Sequence, residues 1–386
     1  MCSCLRGCFR ASGSCDRVRV RCRSEGRSDM ERVRLGLIGM GLIGTPHART
    51  LQEVEDCELV AVADIDEKYA ETAAQLGVRY YRDYAEMVRR ENLQAAIIAT
   101  PNHLHVPIGI ACAERGLHLF VEKPIAQELG EADRLIEAAH RHGVHILVGH
   151  QRRFNVRVEK ARELVQGGDL GRLVGATITW ALLKPPHYFE GPLAWRKETG
   201  GGPILINLIH DIDNLRYICG EIVEVFAMTS DMVRNFSVED TAGVTFRFQN
   251  GAVGTAFIAD CAPSLSAYEA TTGENPLIYN DFGNCYCFFG TEASLLFPQM
   301  KKLFYSDPGK LGWHYPITEE GLKIVPAEDP YVREFRHFAG VVRGDERPRI
   351  SGEDGRRTLE VALAVRRSGE TGQPVRLHTG HTDVNA

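Results

Sequence analysis

Gly39-Met40-Gly41-Leu42-Ile43-Gly44 has the spacing GxGxxG. That spacing is weak evidence alone and gains meaning only between a strand and a helix. Here the apolar run Val33–Ile38 precedes it and a helical stretch begins near Leu42. In that setting Gly39 permits the tight turn, Gly41 lets backbone approach a pyrophosphate, and Gly44 lets helix pack on strand. The unpaired amides at the helix start then face the phosphates. Asp64 ends the next apolar run, 20 residues beyond Gly44. Its carboxylate can accept both hydroxyls of a ribose and repels a 2′-phosphate, and the following Ile65 brings no positive charge to hold one. The cluster predicts a dinucleotide site that takes NAD in preference to NADP.

Two further clusters sit where a reacting centre would lie. Thr100-Pro101-Asn102-His103-Leu104-His105 follows one predicted parallel strand and Glu122-Lys123-Pro124 follows the next. Ligands of such sheets bind outside these carboxyl ends. A lysine held there by a following proline is placed to exchange a proton beside a nicotinamide, and a neighbouring cation lowers its pKa toward working pH. Further on, Gly200-Gly201-Gly202 precedes a helix expected from about Ile204. On a regular helix Asn207, His210 and Asp213 or Asn214 share one face. A polar stripe among isoleucines and leucines must find partners. An active-site wall and a buried structural His–Asp pair both provide them.

In this order, GxGxxG, TPNxLH, EKP and GGG followed by a helix with His and Asp resemble the glucose–fructose oxidoreductase / inositol dehydrogenase / MocA (Gfo/Idh/MocA) family, over about residues 32 to 378. The resemblance implies an NAD(P)-dependent interconversion of alcohol and carbonyl on a sugar, a cyclitol or a derivative. It implies Lys123 as the catalytic lysine, positioned by Glu122 and Pro124. The cofactor would be held by Gly39, Met40, Gly41, Leu42, Ile43, Gly44, Asp64, Thr100, Pro101, Asn102, His105, Glu122 and Lys123. Substrate contacts are expected from Lys123, Arg153, Tyr188, Trp195, Arg196, Asn207 and His210. Lys184 and His187 are further candidates, with Asn155, Tyr286 and His314 behind them. The chain departs from the family at one place. Many members carry Asp four residues before the histidine, where this chain has Ile206. Asn207 beside it cannot take up a proton, so it can only orient a hydroxyl or the histidine. Lys123 and His210 remain as the acid–base pair, tuned by Asp213. Two rivals share these motifs: an NAD-dependent glycoside hydrolase, and a non-catalytic regulator that binds NAD or sugar.

The elements that must position these residues are legible from periodicity. Apolar runs at Val33–Ile38, Glu58–Ala63, Ala95–Ala99, His118–Val121 and Val144–Val148 alternate with helical stretches beginning near Leu42, Glu67, Tyr84, His103 and Glu128. Near-continuous apolar strands separated by helices predict a doubly wound α/β Rossmann sheet, parallel and covered on both faces, over residues 30–150 as the NAD(P)-binding domain. From 151 to 386 the pattern changes to a substrate-binding α+β domain with an open, mainly antiparallel sheet. Its expected strands are Leu173–Leu182, Ile222–Ser230, Thr241–Phe248, Val253–Ala259, Cys285–Phe289 and Ser294–Phe297. Asn250-Gly251 marks a hairpin between the third and fourth. A helix is expected at Val156–Gln166, a loop at Asp307–Pro330 and two more helices at Tyr331–Arg343 and Gly352–Glu370.

Length and composition fit this plan. The 386 residues, 44% hydrophobic and 25% charged, suit a globular protein of two or three domains. A net charge of −6 gives no general basic field for nucleic acid or anionic membrane, and no apolar run approaches a membrane span. Residues 1–29 differ, with seven arginines against Asp16, Glu25 and Asp29, and five of the eleven cysteines. They read as a disordered extension. The other six cysteines are scattered, without the paired spacing of a metal site, as expected of small buried residues in a reducing cytoplasm. The open sheet of the second domain suggests a homodimer or homotetramer, so the expected partners are a sugar-like small molecule and further copies of the chain.

Overall fold

The computed structural model describes residues 32–275, 277–325 and 328–377, so the 1–29 extension lies outside the described residues. The first part of the chain runs β1 (Val33–Ile38), α1 (Gly44–Thr50), β2 (Cys57–Ala63), α2 (Tyr69–Leu76), β3 (Arg79–Tyr81), α3 (Tyr84–Arg90), β4 (Ala95–Ile98), α4 (His105–Ala113), β5 (His118–Glu122), α5 (Leu129–His142) and β6 (Ile146–Gly149). All six strands are parallel, in the order β3-β2-β1-β4-β5-β6. This is the doubly wound order, whose direction reverses between β1 and β4. β4 and β6 are buried along their whole length because helices cover both faces. The edge strand β3, three partly exposed residues long, carries no apolar run and was not foreseen.

The chain continues through α6 (Val156–Gln166), β7 (Leu173–Ala181), α7 (Ile209–Cys219), β8 (Ile222–Ser230), β9 (Thr241–Phe248), β10 (Val253–Ala259), α8 (Tyr268–Thr272), β11 (Tyr286–Gly290), β12 (Ala293–Phe297), β13 (Lys301–Phe304), β14 (Thr318–Gly321), α9 (Pro330–Arg343), α10 (Gly352–Thr371) and β15 (Val375–Arg376). Its nine strands are ordered β14-β13-β12-β11-β7-β10-β9-β8-β15. The hairpin at Asn250-Gly251 joins β9 to β10, and every pair is antiparallel except β7 with β10. The sheet is thus mainly antiparallel, as expected, with one parallel pair. The chain leaves β7 for α7, β8 and β9 before β10 returns beside it, and so long a connection permits parallel pairing. β14 lies inside the stretch expected to be a loop; its sequence Thr-Glu-Glu-Gly has no apolar alternation to announce a strand.

β9 and β10 bury every second residue, so one face of this sheet lies on a core and the other is open. α7 and the inner face build the second core with Ile212, Leu215, Phe246 and Ile258. The tail divides between the cores. α9 packs Phe335 and Phe338 on the first, while α10 gives Leu359 to the first and Val361 and Val365 to the second.

Candidate active site

The glycine turn lies at the reversal point of the parallel sheet. A Cβ on Gly39 (φ +93°) would stand 2.6 Å from the Ala99 carbonyl oxygen, and one on Gly44 would stand 1.9 Å from that of Gly39. Both glycines are therefore required by the chain's own backbone. Gly41 is different: a Cβ there meets no protein atom within 4 Å. Its bare backbone leaves a cradle that a pyrophosphate would fill. Asp64, at the end of β2, accepts from the amides of Met40 (2.6 Å) and Asp66 (2.9 Å). Each carboxylate oxygen keeps a lone pair for a ribose hydroxyl. The Met40 side chain is buried in the core, so only its backbone borders the site, whereas Leu42 and Ile43 are exposed. The residues present thus fit a dinucleotide.

After β4, Thr100 and Asn102 are half-buried and Pro101 is exposed. Thr100 Oγ1 is enclosed without a partner. His105, expected to touch the cofactor, is instead buried with Nδ1 2.9 Å from the Pro124 carbonyl and Nε2 2.9 Å from the Thr100 carbonyl. The ring thus sits between the loops after β4 and β5, with one carbonyl facing each nitrogen. Glu122 is likewise engaged within the protein. Its Oε1 lies 2.6 Å from His47 Nε2 and its Oε2 accepts from the Lys123 amide at 3.2 Å, latching α1 to the end of β5. The sequence offered no sign of His47.

Lys123 Nζ donates to the carbonyl of Ile206, 83 residues away, at 3.1 Å. The residue in place of the usual acid thus supplies an acceptor through its backbone. Burial, with help from Arg152 and Arg196 and against Glu122, pushes the Lys123 ammonium down to about 8. That acceptor lies in a stretch of π-helix, Ile204–Leu208, which precedes α7 where a regular helix was expected. Such turns are uncommon and recur at functional sites. The wider turn changes the phase of the face: Asn207 is half-buried and its Oδ1 accepts from Lys184 Nζ at 2.7 Å.

His210 is buried, and its Nδ1 has no partner among the described residues. Burial, then the charges of Lys123 and Arg152, hold its pKa well below the usual histidine range, so the ring is neutral. Asp213 does not tune it. That carboxylate takes two hydrogen bonds from Arg153 (2.7 and 2.8 Å) and one from Thr358 Oγ1 (2.9 Å). No hydrogen bond or ion pair joins His210 to Asp213 among the described residues; His150 lies 6.1 Å from His210 ring to ring and 3.9 Å from Asp213. Arg153, expected at the substrate, is buried between Asp213 and Asp354. Its neighbour Arg152, which spacing could not distinguish, is fully buried against Asp211 and Glu269, each at 2.7 Å. Tyr286 hydrogen-bonds Asp211 inside this cluster, and Asn155 caps α6, so neither is free for substrate. His314 is exposed beside Trp313 and Tyr315.

The remaining candidates gather on the loop after β7. Arg196 lies 3.8 Å above the ring of half-buried Tyr188, with Trp195 more exposed beside it. His187 is exposed. Lys184 also contacts Asp260 at 3.3 Å, an acid shared with Arg234 at 2.7 Å, and burial pushes its ammonium down to about 8. Asp260 and Arg234 were not foreseen, because nothing local marks them.

A reversal-point glycine turn and an acid at the end of β2 define an NAD(P)-binding Rossmann domain, with a half-buried lysine after β5. Residues 33–150 match the oxidoreductase family with NAD-binding Rossmann fold, and residues 158–295 match the Gfo/Idh/MocA C-terminal domain. The chain is 30% identical to a myo-inositol 2-dehydrogenase of Thermotoga maritima, over 89% of this chain and 98% of that protein. It is 27% identical to an NAD⁺-dependent scyllo-inositol 2-dehydrogenase of Bacillus subtilis, covering 89% and 96%. In fold it is similar to the WlbA dehydrogenase of Bordetella pertussis, solved with NADH and UDP-GlcNAcA (TM-score 0.72, 23% identity, 90% and 99% covered). It is similar to the same degree to a myo-inositol 2-dehydrogenase of Lactobacillus plantarum (TM-score 0.72, 21% identity, 90% and 100% covered). The chain belongs to the Gfo/Idh/MocA family of NAD(P)-dependent oxidoreductases, whose named relatives here act on CH–OH groups. No helix among the described residues is long and apolar enough to cross a membrane.

Proposed function

We propose that the protein interconverts an alcohol and a carbonyl on a sugar, cyclitol or related polyol, with NAD preferred to NADP. The observation that carries this reading is Lys123 Nζ, half-buried after β5 and bonded to the Ile206 carbonyl. The cofactor would be held by the backbone of Gly39–Gly44, by Asp64 and by the loop from Thr100 to Asn102, and when bound supplies the hydride acceptor or donor. In oxidation Lys123 Nζ, as the free amine, takes the hydroxyl proton. In reduction the ammonium returns it. His210 is neutral and its Nδ1 is unpartnered, so it orients the substrate oxygen by a hydrogen bond and leaves the proton with Lys123. Asn207, fixed by Lys184, presents its amide as a further donor.

The test is a panel of sugars, cyclitols and sugar lactones assayed by NADH and NADPH absorbance. Net NADH formation on a free polyol is expected, and a glycoside hydrolase that regenerates its cofactor would show none. Asp64→Ser is expected to narrow the NAD:NADP preference by about tenfold or more, as removal of one close like charge would. A wild-type enzyme that prefers NADPH would contradict the role given to Asp64.

The open face of the second sheet supports a homo-oligomer. Phe226, Met228, Val253 and Phe257 are 37%, 71%, 48% and 47% exposed. β-Sheet register places Phe257 and Met228 on either side of Gly243, and Phe226 beside Thr245. A contiguous apolar face of this kind marks an interface. Sedimentation should show a dimer or tetramer that Phe257→Glu with Met228→Glu dissociates; a monomeric wild type would refute it.

A further inference from the structure

Glu269 lies on α8, and its place is fixed from two sides. The Ala181 amide donates to the Ser266 carbonyl at 2.8 Å, which pins the segment before α8 to the end of β7. Glu269 Oε2 then accepts from the Trp180 indole at 2.9 Å, and Oε1 from Arg152 at 2.7 Å. The Arg152 side chain is 2% exposed and that of Asp211, its other carboxylate, not at all, whereas Glu269 keeps 19%. One guanidinium thus answers two carboxylates, Asp211 at its closed end and Glu269 at its open one. Burial works against the charge on Glu269, but Arg152 outweighs it and holds the carboxyl below its usual range. The group is ionised. A carboxylate has about four acceptor sites, so each oxygen keeps one for a ligand.

Two chains of contacts join this carboxylate to the reacting centre. Through Arg152 it is linked to Asp211, the residue after His210 on α7. Through Trp180 it is linked to Lys184, whose Nζ stands 5.4 Å from the centre of the indole. Lys184 in turn donates to Asn207, the neighbour of the Ile206 carbonyl that holds Lys123. The charge of Glu269 is felt at the same groups. Burial dominates there, lowering the Lys123 and Lys184 ammoniums and raising the Tyr188 phenol, and Glu269 raises all three. Three other carboxylates of this region are engaged within the protein. Glu122 meets His47 and the Lys123 amide, Asp213 meets Arg153, and Asp260 stands between Lys184 and Arg234. Glu269 is the most open of the four.

We infer that Glu269 is a substrate-binding carboxylate, supplied by α8 where Ile206 replaces the usual acid. It accepts a hydrogen bond from a second hydroxyl of the polyol while the reacting hydroxyl lies at Lys123. This rests on the alcohol–carbonyl reading above and narrows its substrate class to polyols with a free hydroxyl at that second position. Among the described residues no ion pair joins Glu269 to Lys123 or Lys184, which leaves space between them for a ligand. An analogue whose second hydroxyl is removed or capped gives the carboxylate no donor, and a site built on such a bond rejects it.

The experiment takes the polyol oxidised fastest in the panel above, with its monodeoxy and mono-O-methyl analogues, NAD⁺ and the full-length enzyme. In the wild type, one analogue altered away from the reacting carbon is expected to lose ~10- to 100-fold in kcat/KM, the span of a hydrogen bond to a charged group. Glu269→Gln should lower kcat/KM on the parent polyol by a similar factor and barely affect that analogue, so their ratio falls below ~3. The pH inflection near 8 should also move down in this variant. An anion that raises Lys123 has then gone, while Glu122, Arg152 and Arg196 remain around it. A merely structural role would lower parent and analogue alike and leave the inflection in place, and either result overturns the inference. Equal kcat/KM for the parent and every analogue in the wild type overturns it as well. If Glu269→Gln does not fold, Glu269→Asp decides, since it keeps a charge for Arg152 and withdraws it by one methylene. Its ratio should fall by ~10-fold, and an unchanged ratio counts against Glu269. Absence of cofactor reduction with every compound would overturn the alcohol–carbonyl reading instead. Calorimetry of glucose, myo-inositol and their deoxy analogues into NADH-loaded wild type and Glu269→Gln would still report whether Glu269 binds a hydroxyl.

Discussion

Replacing Lys123 with alanine is expected to lower kcat for polyol oxidation by about 10²- to 10⁴-fold, the range in which a positioned general base acts. NADH affinity should stay close to wild type, because the groups that fit the dinucleotide, Gly41 and Asp64, lie on β1–α1 and β2 and make no contact with the lysine side chain. The pH profile carries the sharper signature. Burial pushes the ammonium down to about 8, and oxidation needs the free amine. The oxidation rate should therefore climb as pH rises toward 8 and level off above it. Reduction needs the ammonium and should fall over the same interval. His210 does not produce this inflection, since its pKa is held far below that window. Lys123→Ala should flatten both limbs. A variant that retains full turnover, or one that keeps the inflection near 8, would remove Lys123 from its role.

The second large effect concerns stability. Arg152→Met is expected to cost about 3–5 kcal/mol, the usual price of breaking a buried ion pair from one side. Arg152 is 2% exposed and holds Asp211 and Glu269 at 2.7 Å each. Its guanidinium also lies 4.0 Å from the Tyr268 ring, and Trp180 donates to Glu269 at 2.9 Å. Burial opposes the charge on Arg152, but Glu269 and Asp211 outweigh it, so the arginine stays protonated. Without it the fully buried Asp211 and the partly buried Glu269 both lose their cationic partner. The melting temperature should drop by about 4–7 °C. Because Asp211 is the residue after His210, the same change should loosen α7 at the site and reduce turnover of the remaining folded enzyme. A melting temperature within ~1 °C of wild type would show that the cluster is not structural.

Much of the first domain is written in local chemistry. A strand covered on both faces must be apolar throughout, so β1, β2, β4, β5 and β6 appeared within a few residues of their observed limits. β3 and β14 were missed for the converse reason: edge strands that face solvent carry no such run. The glycine turn was legible because Gly39 and Gly44 answer steric demands of the chain's own backbone, while Gly41 leaves room for a ligand. Lys123 was legible because it ends β5, where the sheet places ligands.

What remained hidden were pairings across the chain. Periodicity tells which face of an element is polar but not which side chain will stand opposite. Arg152 and Arg153 are adjacent and identical in type, yet one meets Asp211 and Glu269 and the other Asp213 and Asp354, 201 residues away. Asp213 was expected to serve His210 because both lie on α7 three residues apart, but Arg153 and Thr358, from distant parts of the chain, take its carboxylate. The sequence by itself determined the dinucleotide turn, the lysine at the strand end and the two kinds of sheet, since these depend on neighbours in the chain. Only the tertiary structure decided that Ile206 serves through its carbonyl, that Asp213 is held by Arg153, and that Glu269 meets Arg152 and Trp180, because burial and charge balance depend on elements brought together from distant parts of the chain.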